Sequence, residues 1–530
     1  MKMGLRNVEL EQFIKKYNTE DVLSGVLEMQ MSSYGQLMDV RIPAAEYLAS
    51  NVIRYNISDS KNNFTWSNFL QLEEFAKNIY NEDVSKLFKE ALSLVGAANE
   101  KKNEFLKSGH MKLKNMAFRG DGYIYQLLSM SEMLYKPFDE ELKKSLGFTF
   151  TCCEELFIYI FKLYTNKALE AHSKKYKFTN IVKTLYQTLL GKAVLMLPSI
   201  KEGYIFRVYK EDLYNKFNKF EVDSMIKYLS VCPGESILKP TEVTEFKILT
   251  SKPLVDFGDY IYLPLLESTL MNFPKLFHYA FIAEKRFNKD TIGRYTKNRG
   301  DIVEDLTVKY LQRLIDKKFI YSSLEYKDED GEADVTIQYE DTTIFCECKS
   351  KILTLNTLKG ISKSIEADIY KAIGIAYEQA VRSIKYIVQG KHFHKIVNKK
   401  QKEIKLDNTD RKYIICVTAE NFGVIPSKIH EYVDFDKTVP IVPYVVNIYD
   451  LDIITQECVD FRQFINYLEF RKENSDIISS VDELDIFGYF IANGGEKISI
   501  DADEPAITNY TREFDKKFKK KNHEFFNQFD

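Results

Sequence analysis

The chain has 530 residues, with 74 Lys and Arg against 77 Asp and Glu, 45% hydrophobic side chains and a mean hydropathy of -0.30. That is enough for two or three domains with ample core, because single cores stop growing near ~250 to 300 residues. The net charge of -3 excludes a global attraction to nucleic acid, so any such binding rests on a local basic surface. The seven cysteines are scattered, with Cys152 and Cys153 adjacent and no CxxC or zinc spacing, which argues against a disulfide framework and for a reducing, cytoplasmic setting. The opening MKMGLRNVELEQF lacks the apolar core of a signal peptide. No apolar run is expected to span a membrane, LLGKAVLMLPSI being short and interrupted.

Residues 1–232 carry Leu, Phe, Tyr, Lys and Glu at helical spacing, as in VELEQFIKKY, FLQLEEFAKNIY and YIYQLLSMSEMLYKPF, and little strand alternation. A mainly helical region follows, with its aromatic load assigned to core and its scattered lysines to a solvated face. Trp66, the lone tryptophan, has no partner pattern around it. CPGESILKPTEVTE, residues 232–245, has the Pro, Gly and Thr content of a linker. FKILTSKPLVDFGDYIYLPLL then reads as a hairpin turning at Gly258-Asp259, and STLMNFPKLFHYAFIAEKRF returns to helix, so residues 233–290 form a connecting layer.

GDIVEDLTVKYLQRLIDKK predicts a helix entered at Asp301, with Val303, Thr307, Val308, Tyr310, Leu311, Leu314 and Ile315 on one apolar arc at ~100° per residue. Glu304 falls inside that arc, and an acid on a buried stripe needs a partner. A capping box, with Asp301 as N-cap and Glu304 reaching back to it, accounts for the same acid without excluding a metal role.

In GEADVTIQYEDTTIFCECKSK, residues 331–351, ADVTIQY and TIFCECK alternate as strands around a short polar stretch, which is a hairpin signal. A two-residue turn at Glu340 and Asp341 sets Asp334 opposite Glu347, whereas a four-residue turn sets it opposite Lys349. In both registers Asp334, Glu347 and Lys349 share one face, because side chains alternate with period two. Val335, Ile337, Tyr339, Ile344, Cys346 and Cys348 point the other way. Opposed carboxylates about 5 Å apart at Cβ repel unless something positive lies between them, and a divalent cation does that. A surface hairpin with a Lys-Glu pair is the plain alternative.

Beyond it, ISKSIEADIYKAIGIAYEQAVRSIKYIV predicts a long helix with Ile361, Ile365, Ile369, Ile373, Ala376, Ala380, Ile384 and Ile387 on its apolar face and Gln379 at the edge. GKHFHKIVNKKQKEIK, residues 390–405, is the densest basic run; it reads as a solvated loop, with a phosphate-tracking surface as the alternative. His392 and His394 have metal-like spacing but no further ligands nearby. RKYIICVTAE and VPYVVNIYD are buried-strand runs, and residues 451–530 read as helices with an amphipathic basic tail.

A helix with an inward Glu, a strand, a hairpin reading GEADV followed at hairpin spacing by ECK, then helix and strand, resembles the PD-(D/E)xK nuclease superfamily, the restriction-endonuclease-like fold. The resemblance implies an α/β nuclease core over residues 291–450, αβββαβ with a mixed sheet flanked by helices, preceded by the large mainly α-helical region. It implies Asp334 as the first metal-binding acid, Glu347 and Lys349 as the E-x-K pair, the backbone carbonyl of Cys348 facing the metal, and Glu304 as the helix acid. Gln379, with Arg382, is the candidate for the polar helix residue that many members use to hold substrate or water. The sequence departs in having Glu332-Ala333 before the aspartate where others have Pro, and it lacks a QxxxY signature, residue 383 being Ser383.

The implied activity is an Mg²⁺-dependent deoxyribonuclease, with Mn²⁺ able to substitute. Lys349 would position or help deprotonate the attacking water. By analogy of arrangement the role is an endonuclease in bacterial defence against phage or plasmid DNA, its helical region sensing, regulating or forming a homo-oligomer. Two other readings use the same residues: a catalytically silent nucleic-acid-binding scaffold, disfavoured by the complete acid-acid-lysine set, and a structure-specific DNA repair nuclease.

Overall fold

The computed structural model describes residues 5–31, 38–58, 60–93, 99–115, 120–176, 200–235, 248–284, 286–397, 400–475, 477–496, 507 and 510–527. A mainly helical N-terminal region of about 200 residues is followed by a mixed α/β region. Two compact units emerge, one of Met1–Ala98, Phe118–Tyr295 and Phe518–Asp530, the other of Asn99–Ala117 and Thr296–Lys517. The stretch 99–117 thus groups with the α/β unit, and the basic tail divides at Lys517. Most of the predicted linker, residues 236–245, and of LLGKAVLMLPSI, residues 189–199, lies outside the described residues. No helix among the described residues is long and apolar enough to cross a membrane.

In the first unit the helix Asp139–Leu146 shows how local sequence sets an element. Asp139, Glu140 and Glu141 complement the positive end of its dipole and Lys143 and Lys144 the negative end, Leu142 and Leu146 are buried, and the chain leaves through Gly147 at φ +90°. The aromatic side chains do form core: Tyr135, Phe150, Phe273, Phe277 and Phe281 pack ring against ring. Trp66 is half exposed and stacks on Phe69. A small sheet joins strands β1 (Val208–Tyr209), β2 (Ser230–Val231), β3 (Leu254–Asp256) and β4 (Tyr260–Tyr262) in the order β1-β4-β3-β2. The β3-β4 hairpin turns through Gly258 at φ +94°, where the sequence places it.

The second unit is built on a seven-stranded mixed sheet of β5 (Ile320–Tyr326), β6 (Glu332–Tyr339), β7 (Thr342–Lys349), β8 (Phe393–Val397), β9 (Lys400–Ile404), β10 (Arg411–Thr418) and β11 (Tyr444–Asn447). Its order is β11-β10-β7-β6-β5-β8-β9. Strands β7, β10 and β11 run parallel, and β5, β6, β8 and β9 join antiparallel. The central pair β7 and β10 is covered on both faces, which is why TIFCEC and YIICVT are nearly continuous apolar runs.

The helix Lys289–Leu311 covers one face, where the Cys348 thiol reaches Thr307 at 3.5 Å. The helical stretch 362–388, with a π-turn over Tyr370–Gly374, covers the other, burying Ile365, Ile369, Ile373, Ala376, Ala380, Ile384 and Ile387 against Phe345, Ile414 and Cys416. The helix Asn99–Asn115 adds Met111 to this core, and its Lys107 pairs with Glu366 at 2.7 Å.

Three expectations are corrected. The helix that carries Glu304 starts at Lys289, not Asp301: Asn288 Oδ1 accepts Thr291 N–H at 2.8 Å, and buried Thr291 and Tyr295 extend the stripe upstream through Gly300. Asp301 is therefore mid-helix and the proposed capping box does not form. Ile361 is 46% exposed because it is the N-cap of its helix, in extended conformation and outside the apolar face. The basic run 390–405 is not a loop. It forms the β8-β9 hairpin, the outer two strands of the sheet.

Candidate active site

The hairpin β6-β7 turns in two residues, with Tyr339 opposite Thr342 and Glu340 at φ +51°. The ladder continues to Val335 opposite Cys346 and stops there, one step short of Asp334 and Glu347. Beyond that point β6 pairs only with β5, through Leu324↔Ala333 and Glu325↔Glu332, while β7 stays on β10 to the end, through Cys416↔Glu347 and Thr418↔Lys349. Ser323, on the β5 side of the parting, takes φ +50°. The Cys348 N–H donates to Asp334 Oδ2 at 2.8 Å, so a side chain takes the bond that a ladder would have used. The parting thus brings Asp334, Glu347 and Lys349 together within the sheet.

A surface hairpin is ruled out by burial: Asp334 is 6% exposed and Glu347 0%. Lys349 Nζ lies 3.3 Å from Asp334 Oδ2 and 3.1 Å from the Cys348 carbonyl, donating to both. Neither Glu347 oxygen has a donor from the rest of the protein, and the hydrogen bond open to it is with the Asp334 carboxyl when one of the two is protonated. Burial, then the negative charge of Asp334, pushes its carboxyl well above the ordinary range, against the pull of Lys349. Burial by itself would lower the Lys349 pKa, but Asp334 and Glu347 outweigh it and the net shift is upward, so the side chain stays an ammonium. That fits a cation that positions and neutralises better than one that removes a proton from water.

Glu304 is half-buried, and burial followed by Asp334 and Glu332 raises its carboxyl to about 7. Glu332 is raised in the same way, by burial and then Asp334. Acids therefore gather around the parting with Lys349 as a cation among them, and the local field is one that attracts cations.

No protein-family model, curated protein or solved structure matches this chain. The fit of a metal has to be judged on the residues themselves. The described residues hold no group of three or more His, Cys, Asp or Glu placed as a metal cage. Mg²⁺ does not need one, since it is commonly held by one or two carboxylates with water and phosphate oxygens completing its shell. The unpartnered oxygens of Glu347 beside Asp334 supply that pair. The Cys348 carbonyl is at the same place but accepts from Lys349. Glu304 is electrostatically coupled to Asp334, Glu332 and Lys349 and stands as the third candidate acid.

Gln379 lies on the helix Ile375–Val388, half-buried, with its Oε1 buried and unpartnered. Arg382 is committed elsewhere: it donates to the Asp330 carbonyl, lies 3.4 Å from Glu329 and stacks over the Tyr326 ring at 4.1 Å. Two participants were missed from sequence. Tyr326, whose hydroxyl is 2.7 Å from Ser383 Oγ, feels the charge of Glu347, and buried Arg299 donates to the Ser350 carbonyl next to Lys349. Arg299 falls at helical spacing from Tyr295, a signal that a longer helix would have exposed.

Proposed function

We propose that this chain is a metal-dependent nuclease of PD-(D/E)xK type, hydrolysing phosphodiester bonds of DNA. The observation that carries the reading is Glu347: a carboxyl wholly inside a sheet, with a second carboxyl, Asp334, beside it and no donor from the rest of the protein on either oxygen. Leaving such a group unsatisfied costs about 1–3 kcal/mol or more, which a protein retains where the group has work to do. The order helix, strand, hairpin, helix, strand around it, with Glu304 on the first helix, supports the family resemblance.

In this reading Asp334 and Glu347 would hold Mg²⁺, which supplies charge stabilisation at the phosphate and a more acidic bound water. Asp334 is aimed by the Cys348 N–H and Lys349, so its geometry is set before any ligand arrives. Lys349 holds its proton and would anchor a phosphate oxygen or the attacking water. Glu304, near neutral pKa, is placed to accept a proton through water. Gln379 carries a buried amide oxygen without a partner, which would suit a trapped water.

The test is incubation of the purified protein with supercoiled circular DNA, linear duplex, single-stranded DNA and RNA in Mg²⁺, Mn²⁺ or EDTA. Cleavage that requires the metal and falls at least about 10²-fold in Asp334→Ala and in Lys349→Ala is expected. Cleavage that survives both substitutions places the active site elsewhere, and absence of cleavage with unchanged DNA binding makes the chain a scaffold.

A further inference from the structure

The β8-β9 hairpin adds two strands to the open side of the sheet, and its register sorts charge by face. On one face Lys395 stands directly opposite Lys402, with Lys400 at the turn end of the same row. Burial, and then the charge of Lys317 from the turn Lys317–Phe319, lowers the Lys395 pKa, and Lys395 Nζ lies 3.3 Å from Ser322 Oγ. Among the described residues none of Lys317, Lys395, Lys400 and Lys402 has an ion-pair partner. The other face is neutralised: Glu403 takes Lys327 at 3.1 Å and His392 at 2.7 Å.

Like charges directly opposed on a ladder destabilise it, and nothing in the core requires them here, since β9 is exposed through Glu403. An external polyanion would remove the penalty. The position matches as well. One step beyond Glu325↔His394 puts Lys395 in line with Leu324 and Ala333, next to Asp334 along β6. At ~4.8 Å per strand, β9 is ~14 Å from β6 across the sheet, about four base-pair steps of duplex rise.

We infer that the lysine face of the β8-β9 hairpin is the nucleic-acid backbone clamp of this chain, gripping phosphates of duplex DNA a few base pairs from the site at Asp334 and Glu347. The inference deepens the nuclease reading and rests on it, so the test separates the two.

Binding of a fluorescent 20-base-pair duplex by the full chain is measured in EDTA between 50 and 250 mM NaCl. It is compared with the triple variant Lys395→Thr, Lys400→Thr, Lys402→Thr, the corresponding Lys→Arg triple, and Lys472→Thr as a surface control. Threonine keeps strand propensity and arginine keeps charge. Losing three phosphate contacts lowers the slope of log K against log salt by about 2.7 and weakens binding at 0.1 M salt by on the order of 10²-fold, while the arginine triple and the control keep the wild-type slope. Equal slopes for wild type and the threonine triple overturn the clamp. So does a poly-glutamate peptide held more tightly than DNA, which would make the face a protein-docking edge. Hydrolysis of the small diester bis(p-nitrophenyl) phosphate in Mg²⁺ is read in parallel. It should be unchanged in the threonine triple; its absence from wild type, with the slope change intact, would sink the nuclease reading and leave the clamp standing.

Discussion

At the scale of single residues, Glu347 makes a prediction that separates a functional carboxyl from a structural one. Its pKa in the fold is raised well above 4.5 by burial and then by Asp334. A carboxyl of this kind contributes stability that is complete below the unfolded value, near pH 4.5, and is lost as pH rises through the folded value. Glu347→Gln should therefore stabilise the protein in EDTA by about 1–3 kcal/mol at pH 8 and by less at pH 5, measured by urea midpoints. Mg²⁺ should raise the Tm of wild type but not of the variant. A variant less stable than wild type at pH 8 would show that the carboxyl has a structural partner. Asp334, Glu347 and Lys349 were legible in the sequence because period two and a short turn leave few choices. The parting of the strands was not, because it depends on β5 and β10, whose pairings are set by distant residues. Tyr326, on β5, was hidden for the same reason, and Arg299 because the helix was started at Asp301 and not at Lys289.

At the scale of elements, the helix Asn99–Asn115 is tied to the α/β unit through His110, whose Nδ1 lies 2.6 Å from Tyr432 Oη. Burial, and then the charge of Lys428, lowers its pKa to about 4. A histidine kept neutral in the fold binds fewer protons than in the unfolded chain between pH 6.5 and 4, so its share of stability is lost as pH falls through that window. His110→Gln should flatten the acid side of the stability curve by on the order of 1–2 kcal/mol for a ring that keeps some exposure, seen in urea midpoints from pH 7.5 to 4.5. An unchanged pH dependence would show the ring to be charged or free. Helix existence was readable throughout, whereas boundaries yielded to tertiary context. Gly300-Asp301 looks like a helix start, yet the ~1 kcal/mol cost of a mid-helix glycine is offset by the burial of Tyr295 and Ile302 on either side. In the basic run, lysine alternating with apolar and polar residues masked a period-two signal that the hairpin makes plain.

At the scale of the whole molecule, the α/β unit is not a continuous segment. Its sheet and flanking helices come from residues 296–517, but Met111, Lys107 and Asn115 reach it from the N-terminal third, Asn115 through a 2.7 Å bond to the Leu358 carbonyl. A fragment of residues 296–517 should unfold at lower temperature than the corresponding transition of the full chain, and a version carrying residues 99–117 on a flexible linker should recover most of the difference, by differential scanning calorimetry. Equal transitions would mean that the helix is a passenger. Helical spacing without strand alternation separated the N-terminal helical region from the α/β region. It could not show that one N-terminal helix crosses over, since an amphipathic stripe does not name its partner.

The break in the β6-β7 ladder also has a mechanical side. Past the last rung Asp334 belongs to the strand held by β5 and Glu347 to the strand held by β10, and the Cys348 amide and the Lys349 ammonium both reach across to one oxygen of Asp334. The two strands stay paired from Tyr339↔Thr342 to Val335↔Cys346 and part only beyond that rung, like a zip left open at one end. The gap between the carboxylates therefore lies past the last rung, so a change of occupant that alters the spacing of the acids would leave the five β6-β7 pairs intact and fall on the Cys348 and Lys349 contacts to Asp334 alone.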